Sequence, residues 1–344
     1  MSKNTRTLAI WFIVLSFMVI LTFVAIFATG IGATLVQNAP FEFGQRDVTA
    51  HAETRDARDL SGRVIILDPG HGLGNTNIFE GYDEQVRMLA LALRIRPRLE
   101  ELGATVHMTR PDPTDVMLPV RTALINRWAL EAIRELRHDQ REIDEIDRLI
   151  RIMQRVIDDP ETYAGIYFNF PFDMSFTREI HPDLRRIFQL QEEQAIRDNF
   201  LMISLHSNAT PRPIDTRING ADSFFISNNQ WQTASYYTEY INVERSYFFA
   251  NLIITNIEPL GIRRNRAQAR NFFMIREHNV PGVLVENGFH TNPLDRARLQ
   301  NDDFLDRLAV VYVETIVQYF ASFDRVPDRP FDALDDVFAL NRLF

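Results

Sequence analysis

The chain of 344 residues contains no cysteine. Disulfides, thiolate metal sites and cysteine nucleophiles are excluded, so any metal must be held by histidine and carboxylate. The absence does not choose a compartment, although it suits an oxidising exterior. Lysine is almost missing as well. Lys3 is the only one among 37 basic residues, and 46 acidic residues bring the formal charge to −9. Nucleic-acid binding relies on a basic excess that neutralises phosphates, so no nucleic-acid partner is expected. No internal repeat is evident. Hydrophobic residues make up 46% and charged residues 24%, enough apolar material for a sizeable core.

One long hydrophobic run stands out. Residues 8–27 carry no charge, and a helix of ~20 residues spans roughly the 30 Å of a bilayer's hydrocarbon core. The apolar core of a cleaved signal is usually about 7–15 residues, so a transmembrane anchor is expected. The alternative is cleavage near residues 28–33, where small residues gather. Lys3 and Arg6 precede the run and no basic residue follows until Arg46. That asymmetry places the N-terminus in the cytoplasm and the rest outside the cell membrane. The expected organisation is an anchor over residues 1–36, a polar tether over 37–60, a domain over 61–323 and an acidic tail over 324–344.

Within the domain, short apolar runs alternate with helical patterns. Residues 64–67, 104–109, 201–205, 223–226 and 283–285 read as strands. Val86, Leu89, Ala90 and Leu93 recur at helical spacing in residues 84–102, with Gly103 as a stop and Pro97 as a kink. Further helices are expected near 247–260 and 304–320. This alternation predicts an α/β domain, with a mostly parallel or mixed central sheet flanked by helices. Residues 128–197 break the rhythm. Ile133, Leu136, Ile143, Ile146, Leu149, Ile150, Met153 and Ile157 read as one long helix, and a second is expected over 182–199. Together they form an inserted helical hairpin.

Three apolar runs lead into residues of metal-site type: 64–70 into His71, 203–205 into His206, and 283–285 into Glu286. Open α/β sheets bind ligands beyond the carboxyl ends of their strands, so these three side chains are expected at one rim. The motifs around them resemble the zinc-dependent N-acetylmuramoyl-L-alanine amidases of the amidase-3 type. The resemblance rests on LDPGHGLG at 67–74, on Glu84 before Leu89-Ala-Leu-Ala-Leu93, and on Val106-His-Met-Thr-Arg110. Leu118-Pro-Val-Arg121 with Asn126, SLHSNA at 204–209, and GADSFF at 220–225 continue it. Met274-Ile-Arg-Glu277, Pro281, Val285-Glu-Asn-Gly-Phe289, Thr291-Asn-Pro293 and Asp295 complete it. It spans roughly residues 61–127 and 198–322.

The resemblance implies one Zn²⁺ held by His71, Glu84 and His206, with Glu286 as the catalytic carboxylate. It implies peptidoglycan as substrate, cut between N-acetylmuramic acid and L-alanine during division, sporulation or wall turnover. Asn208 and Arg276 either touch substrate or hold loops. Asp83 competes with Glu84, which has an alternative as a carboxylate favoured at a helix N-terminus. His290 reads as a surface-loop residue and His107 as structural; His51, His138, His181 and His278 read as solvated. Leu73 departs from the family turn. The insertion over 128–197 is a candidate lid or docking surface for a protein regulator, or a stabilising hairpin. Alternative functions are a catalytically inactive wall-binding module and a zinc peptidase acting within the stem peptide.

Overall fold

The computed structural model describes residues 58–72, 77–167, 180–211, 213–226 and 240–325. Every described residue belongs to one compact unit within Glu53–Phe344. The hydrophobic run at 8–27, Leu73 and the residues after 325 lie outside the described residues. Among the described residues no helix is long and apolar enough to cross a membrane.

In chain order the elements are β1 (Val64–Pro69), β2 (Ile78–Phe79), β3 (Tyr82–Asp83), α1 (Glu84–Glu101), β4 (Thr105–Met108), α2 (Leu118–Glu135), α3 (Gln140–Asp158), α4 (Pro160–Tyr163), α5 (Pro182–Gln191) and α6 (Gln194–Asn199). There follow β5 (Phe200–Asn208), β6 (Ala221–Phe225), α7 (Val243–Ile257), β7 (Arg264–Ala269), α8 (Phe273–Arg276), β8 (Gly282–Phe289), α9 (Pro293–Gln300) and α10 (Asp302–Arg325). Six strands form one mixed sheet in the order β4-β1-β5-β8-β6-β7. The β4, β1, β5 and β8 strands run parallel; β6 is antiparallel to β8 and carries β7 at the edge.

The pleat sends alternate residues into two cores, as a sheet covered on both faces requires. Leu201, Ile203, Leu205, Val283 and Val285 pack with apolar residues of α1, α7 and α10. Met202, Leu284, Phe224 and Ile66 pack on the other face with residues of α2, α3 and α5. Domain packing begins before residue 61. Leu60 is buried, its N–H donates to Leu102 O at 2.8 Å, and Arg58 pairs with Glu314 at 2.7 Å. The tether therefore ends two or three residues earlier than expected. Helix α1 continues through Pro97 without a break.

The one long helix expected through residues 133–157 is two helices. Chain direction reverses between α2 and α3, where the Asp139 side chain accepts from the N–H groups of Arg141 and Glu142 and caps α3. Folded back, α3 sets Asp147 against Arg134, and Gln154 accepts from Arg127 at 2.5 Å. Ile146, Leu149, Met153 and Val156 thereby enter the same core as Ala129, Leu130 and Ile133. The second expected helix is also split, into α5 and α6. Its Gln191 is buried, donating to Asn126 Oδ1 at 2.8 Å and accepting from Asn279 N–H at 2.7 Å. These helices are part of the second core rather than an appendage to it.

Candidate active site

The polar side chains on the second face gather at the carboxyl ends of the parallel strands. Asp68 of β1 stands opposite Ser204 of β5. One step further, His206 of β5 stands opposite Glu286 of β8, and Glu286 opposite Asp222 of β6. Register partners share a face, so His206, Glu286 and Asp222 form one row across three neighbouring strands.

His71 joins the row from the turn after β1. Two buried guanidinium groups hold that turn. Arg110 donates to Pro69 O and Gly70 O at 3.2 Å each and to Gln85 O at 2.9 Å. Arg121 donates to Pro69 O at 2.9 Å, to His71 O and to Asp68 Oδ1 at 3.1 Å. Burial alone would raise the Asp68 pKa, but the Arg121 charge and hydrogen bonds from Ser204 and Thr109 outweigh it and hold the carboxyl below its ordinary value. Gly70 is glycine because His206 lies against it: an added Cβ would sit 2.1 Å from His206 Cε1. Gly70→Ala is therefore expected to displace the His206 ring and weaken metal binding roughly 10–100-fold. Competition with a chromogenic chelator measures this, and unchanged affinity contradicts it.

Glu84 opens α1 and projects between the two histidines. Its Oε2 is 3.3 Å from His71 Nε2 and its Oε1 is 3.1 Å from His206 Nδ1. The Ser207 N–H donates to Oε1 at 2.9 Å and Asn77 Nδ2 donates to Oε2. Burial would raise the Glu84 pKa, but hydrogen bonds and charge from His206 and His71 prevail and hold it well below the ordinary carboxylate range. The ligand atoms of His71, Glu84 and His206 all lie within 4.8 Å of one another, and among the described residues they form a group able to hold a metal. Asp83 does not belong to it.

Glu286 sits beside this trio. Its Oε2 is buried and has no hydrogen-bond partner among the described residues. Burial first, then the neighbouring charges of Glu84 and Asp222, push its pKa well above the ordinary value. The next residue, Asn287, faces the other way. It donates to His206 O at 3.0 Å and accepts from Tyr312 at 2.7 Å, which fixes the backbone under the site.

Of the remaining candidates, Asn208 ends β5 at the rim, with its side chain beside Asp222. The Arg276 guanidinium is buried and bound to Glu277 at 2.6 Å and to Asn271 at 2.9 Å, the geometry of a group that holds a loop. His107 stacks on Trp128 at 4.5 Å between ring centroids. Two histidines depart from expectation. His278 is buried, bonded to Met274 O at 2.8 Å, and its pKa is pushed down to about 4 by burial. His290 is buried as well, stacked on Tyr82 with centroids 5.0 Å apart. Its Nδ1 lies 3.0 Å from Ser207 O, an atom that only accepts, so Nδ1 carries the proton. Tyr82 donates to Ser207 Oγ at 2.8 Å. Together Tyr82, Ser207 and His290 form a buried layer behind Glu84 and His206, one the sequence reading missed.

The family model for N-acetylmuramoyl-L-alanine amidase, Amidase_3, matches residues 65–141 and 176–318. The germination-specific N-acetylmuramoyl-L-alanine amidase of Bacillus subtilis (strain 168) is 25% identical over 271 residues, covering 78% of this chain and 84% of that protein. The N-acetylmuramoyl-L-alanine amidase AmiA of Escherichia coli (strain K12) is 22% identical over 286 residues, covering 80% and 82%. Among solved structures, Ami1 of Mycobacterium smegmatis aligns with a TM-score of 0.48 at 16% identity, over 77% of this chain and 99% of its own. Residues 142–175 fall outside the family match, a narrower segment than 128–197. The matched residues make up more than half of the chain, which belongs to the Amidase_3 family of N-acetylmuramoyl-L-alanine amidases.

Proposed function

We propose that this amidase is a zinc enzyme, with His71, Glu84 and His206 as ligands and Glu286 as the catalytic carboxylate. The carrying observation is the convergence of two imidazoles and one carboxylate beside a buried carboxyl oxygen that lacks a partner among the described residues. The donor set fits zinc. Zinc takes imidazole nitrogen and carboxylate oxygen, and here one ligand atom from each of the three residues lies within 4.8 Å of the other two. Two histidines and one carboxylate leave a fourth position open, as catalytic zinc sites require. Zinc held there would lower the pKa of water and polarise the scissile carbonyl.

The protein's own groups do the rest. Ser207 N–H and Asn77 orient Glu84, while Arg110 and Arg121 fix the turn that carries His71. Glu286 takes a proton from the attacking water and returns it to the departing nitrogen. The bond broken is the amide joining the lactyl group of N-acetylmuramic acid to L-alanine. Asn208 meets substrate at the rim, and Arg276 shapes the loop behind it. The same reading places the catalytic domain outside the cell membrane on a single-pass anchor at 8–27, supported by the uncharged run and the basic residues before it. The outer, charged side of α3, within the segment that the family model leaves unmatched, is the surface offered to a protein regulator.

Digestion of purified peptidoglycan by the full-length protein, followed by mass spectrometry, tests the reading. Intact stem peptides are expected to leave the glycan, a chelator should abolish their release, and added Zn²⁺ should restore it. Cuts inside the stem peptide would make the protein a peptidase. Wall binding without any metal-dependent product would make it an inactive module.

A further inference from the structure

The row across the strand ends does not stop at Glu286. Asp222 of β6 is its register partner on the side away from His206. Asp222 is 4% exposed, and among the described residues its buried Oδ1 has no hydrogen-bond partner. Arg266, Asn265 and Asn208 compensate only part of the carboxyl. Two carboxyl groups on register-paired residues of adjacent strands thus each carry a buried oxygen with no partner among the described residues. Buried oxygens left unpaired by the described residues are places where a bound substrate can supply the missing donor.

The chemistry of the proposed reaction supplies such a donor. Neighbouring strands are about 4.8 Å apart, so the row runs from the metal side at His206, through Glu286, to Asp222 roughly 10 Å away. A scissile carbonyl placed at the His206 end directs its nitrogen toward Glu286 and beyond. During hydrolysis the water oxygen bonds to the carbonyl carbon and the C–N bond breaks. Its electron pair stays on nitrogen, which takes up the proton that Glu286 removed from water. The nitrogen enters this step with one N–H and gains that proton as the C–N bond breaks. It becomes the ammonium when the newly formed carboxylic acid gives up its own proton, the second one that the water brought. Glu286 gives a proton to that nitrogen and cannot at the same moment accept one from it.

We infer that Asp222 is a second catalytic carboxylate, accepting a hydrogen bond from the N–H of the scissile amide and holding the nascent ammonium of L-alanine as it departs. This inference rests on the amidase reading above and adds a leaving-group site to it. Asp222 is not one of the proposed metal ligands, and its role is separable from metal binding.

Two substrates distinguish the role: N-acetylmuramoyl-L-alanine, and the ester analogue in which oxygen replaces the alanine nitrogen. The ester has no N–H and releases no amine. For Asp222→Asn we expect kcat on the amide to fall about 10–100-fold, the range of a lost charge-assisted hydrogen bond, with KM within about twofold. Turnover of the ester should match that of the unaltered protein, and metal content should be unchanged. Activity on the ester also shows that the variant is folded. Asp222→Ala should repeat the pattern with an equal or larger loss on the amide. Equal losses on both substrates, a change confined to KM, or loss of metal would overturn the assignment. Unaltered protein that cleaves neither substrate, or cuts only within a peptide, would overturn the amidase reading and this one together.

Discussion

Glu286→Gln is expected to reduce turnover of peptidoglycan by about 10²–10⁴-fold, the range that a positioned proton-transfer group supplies, while the protein keeps its metal. Glutamine has the same shape and retains an acceptor oxygen, so substrate placement is preserved. What it lacks is the ability to take a proton from water and return it to nitrogen. The ligand trio does not include Glu286, so metal stoichiometry should match that of the unaltered protein. The substitution also removes a buried carboxyl whose pKa is raised by burial and by the charges of Glu84 and Asp222. The melting temperature should therefore hold or rise as activity collapses, the trade-off expected where a site keeps destabilising groups for function. Steady-state kinetics, metal analysis and thermal unfolding on one preparation check all three. A variant keeping more than about a tenth of normal turnover would show that another group moves the proton.

The placing of His71, His206 and Glu286 at strand ends was legible because each follows a largely apolar stretch, and open α/β sheets gather polar side chains beyond the carboxyl ends of such strands. Their companions were harder to see. Asp222 lies inside a strand whose sequence, Ala221–Phe225, reads as ordinary core, and only the antiparallel register of β6 on β8 puts it beside Glu286. Asn77 belongs to a hairpin with two-residue strands, too short for any periodicity, although Glu80 and Gly81 both take positive φ as a tight turn demands. Strand β7, Arg264–Ala269, offers only Ala267 and Ala269 to the core, too small a signal to read, and it is an edge paired only with β6. His290 was misread because nothing local reveals that Tyr82, more than two hundred residues earlier, supplies the surface it stacks on.

The one long helix expected through residues 133–157 failed for a different reason. Both α2 and α3 present an apolar stripe to the same core, so the spacing carries on through the turn that separates them. The signal of the break was present. Asp139 stands three residues before Glu142, the pattern of a helix N-terminus with an acidic first turn. Capping chemistry was the stronger cue, and periodicity overrode it.

Asp68→Ala is expected to destabilise the domain by about 3–5 kcal/mol, the cost of removing one partner of a buried ion pair. Asp68 is fully buried and satisfies Arg121, Ser204 and Thr109 at once. Without it, the Arg121 charge is left uncompensated in the interior. Because the folded pKa of Asp68 is depressed, its contribution is complete above the unfolded value of about 3.9 and is lost as pH falls through the lower folded value. The difference in stability between the two proteins should thus be constant near neutrality and shrink only in acid. Pairing the change with Arg121→Met separates fold from site. Removing both charges should recover much of the stability, since a buried pair is often replaceable by apolar groups. It should not recover metal affinity, because Arg121 also donates to the carbonyls of Pro69 and His71 and methionine cannot. Denaturant titrations across pH, with chelator competition on the same variants, test both halves. A double variant with normal metal affinity would show that the His71 turn holds its shape without Arg121.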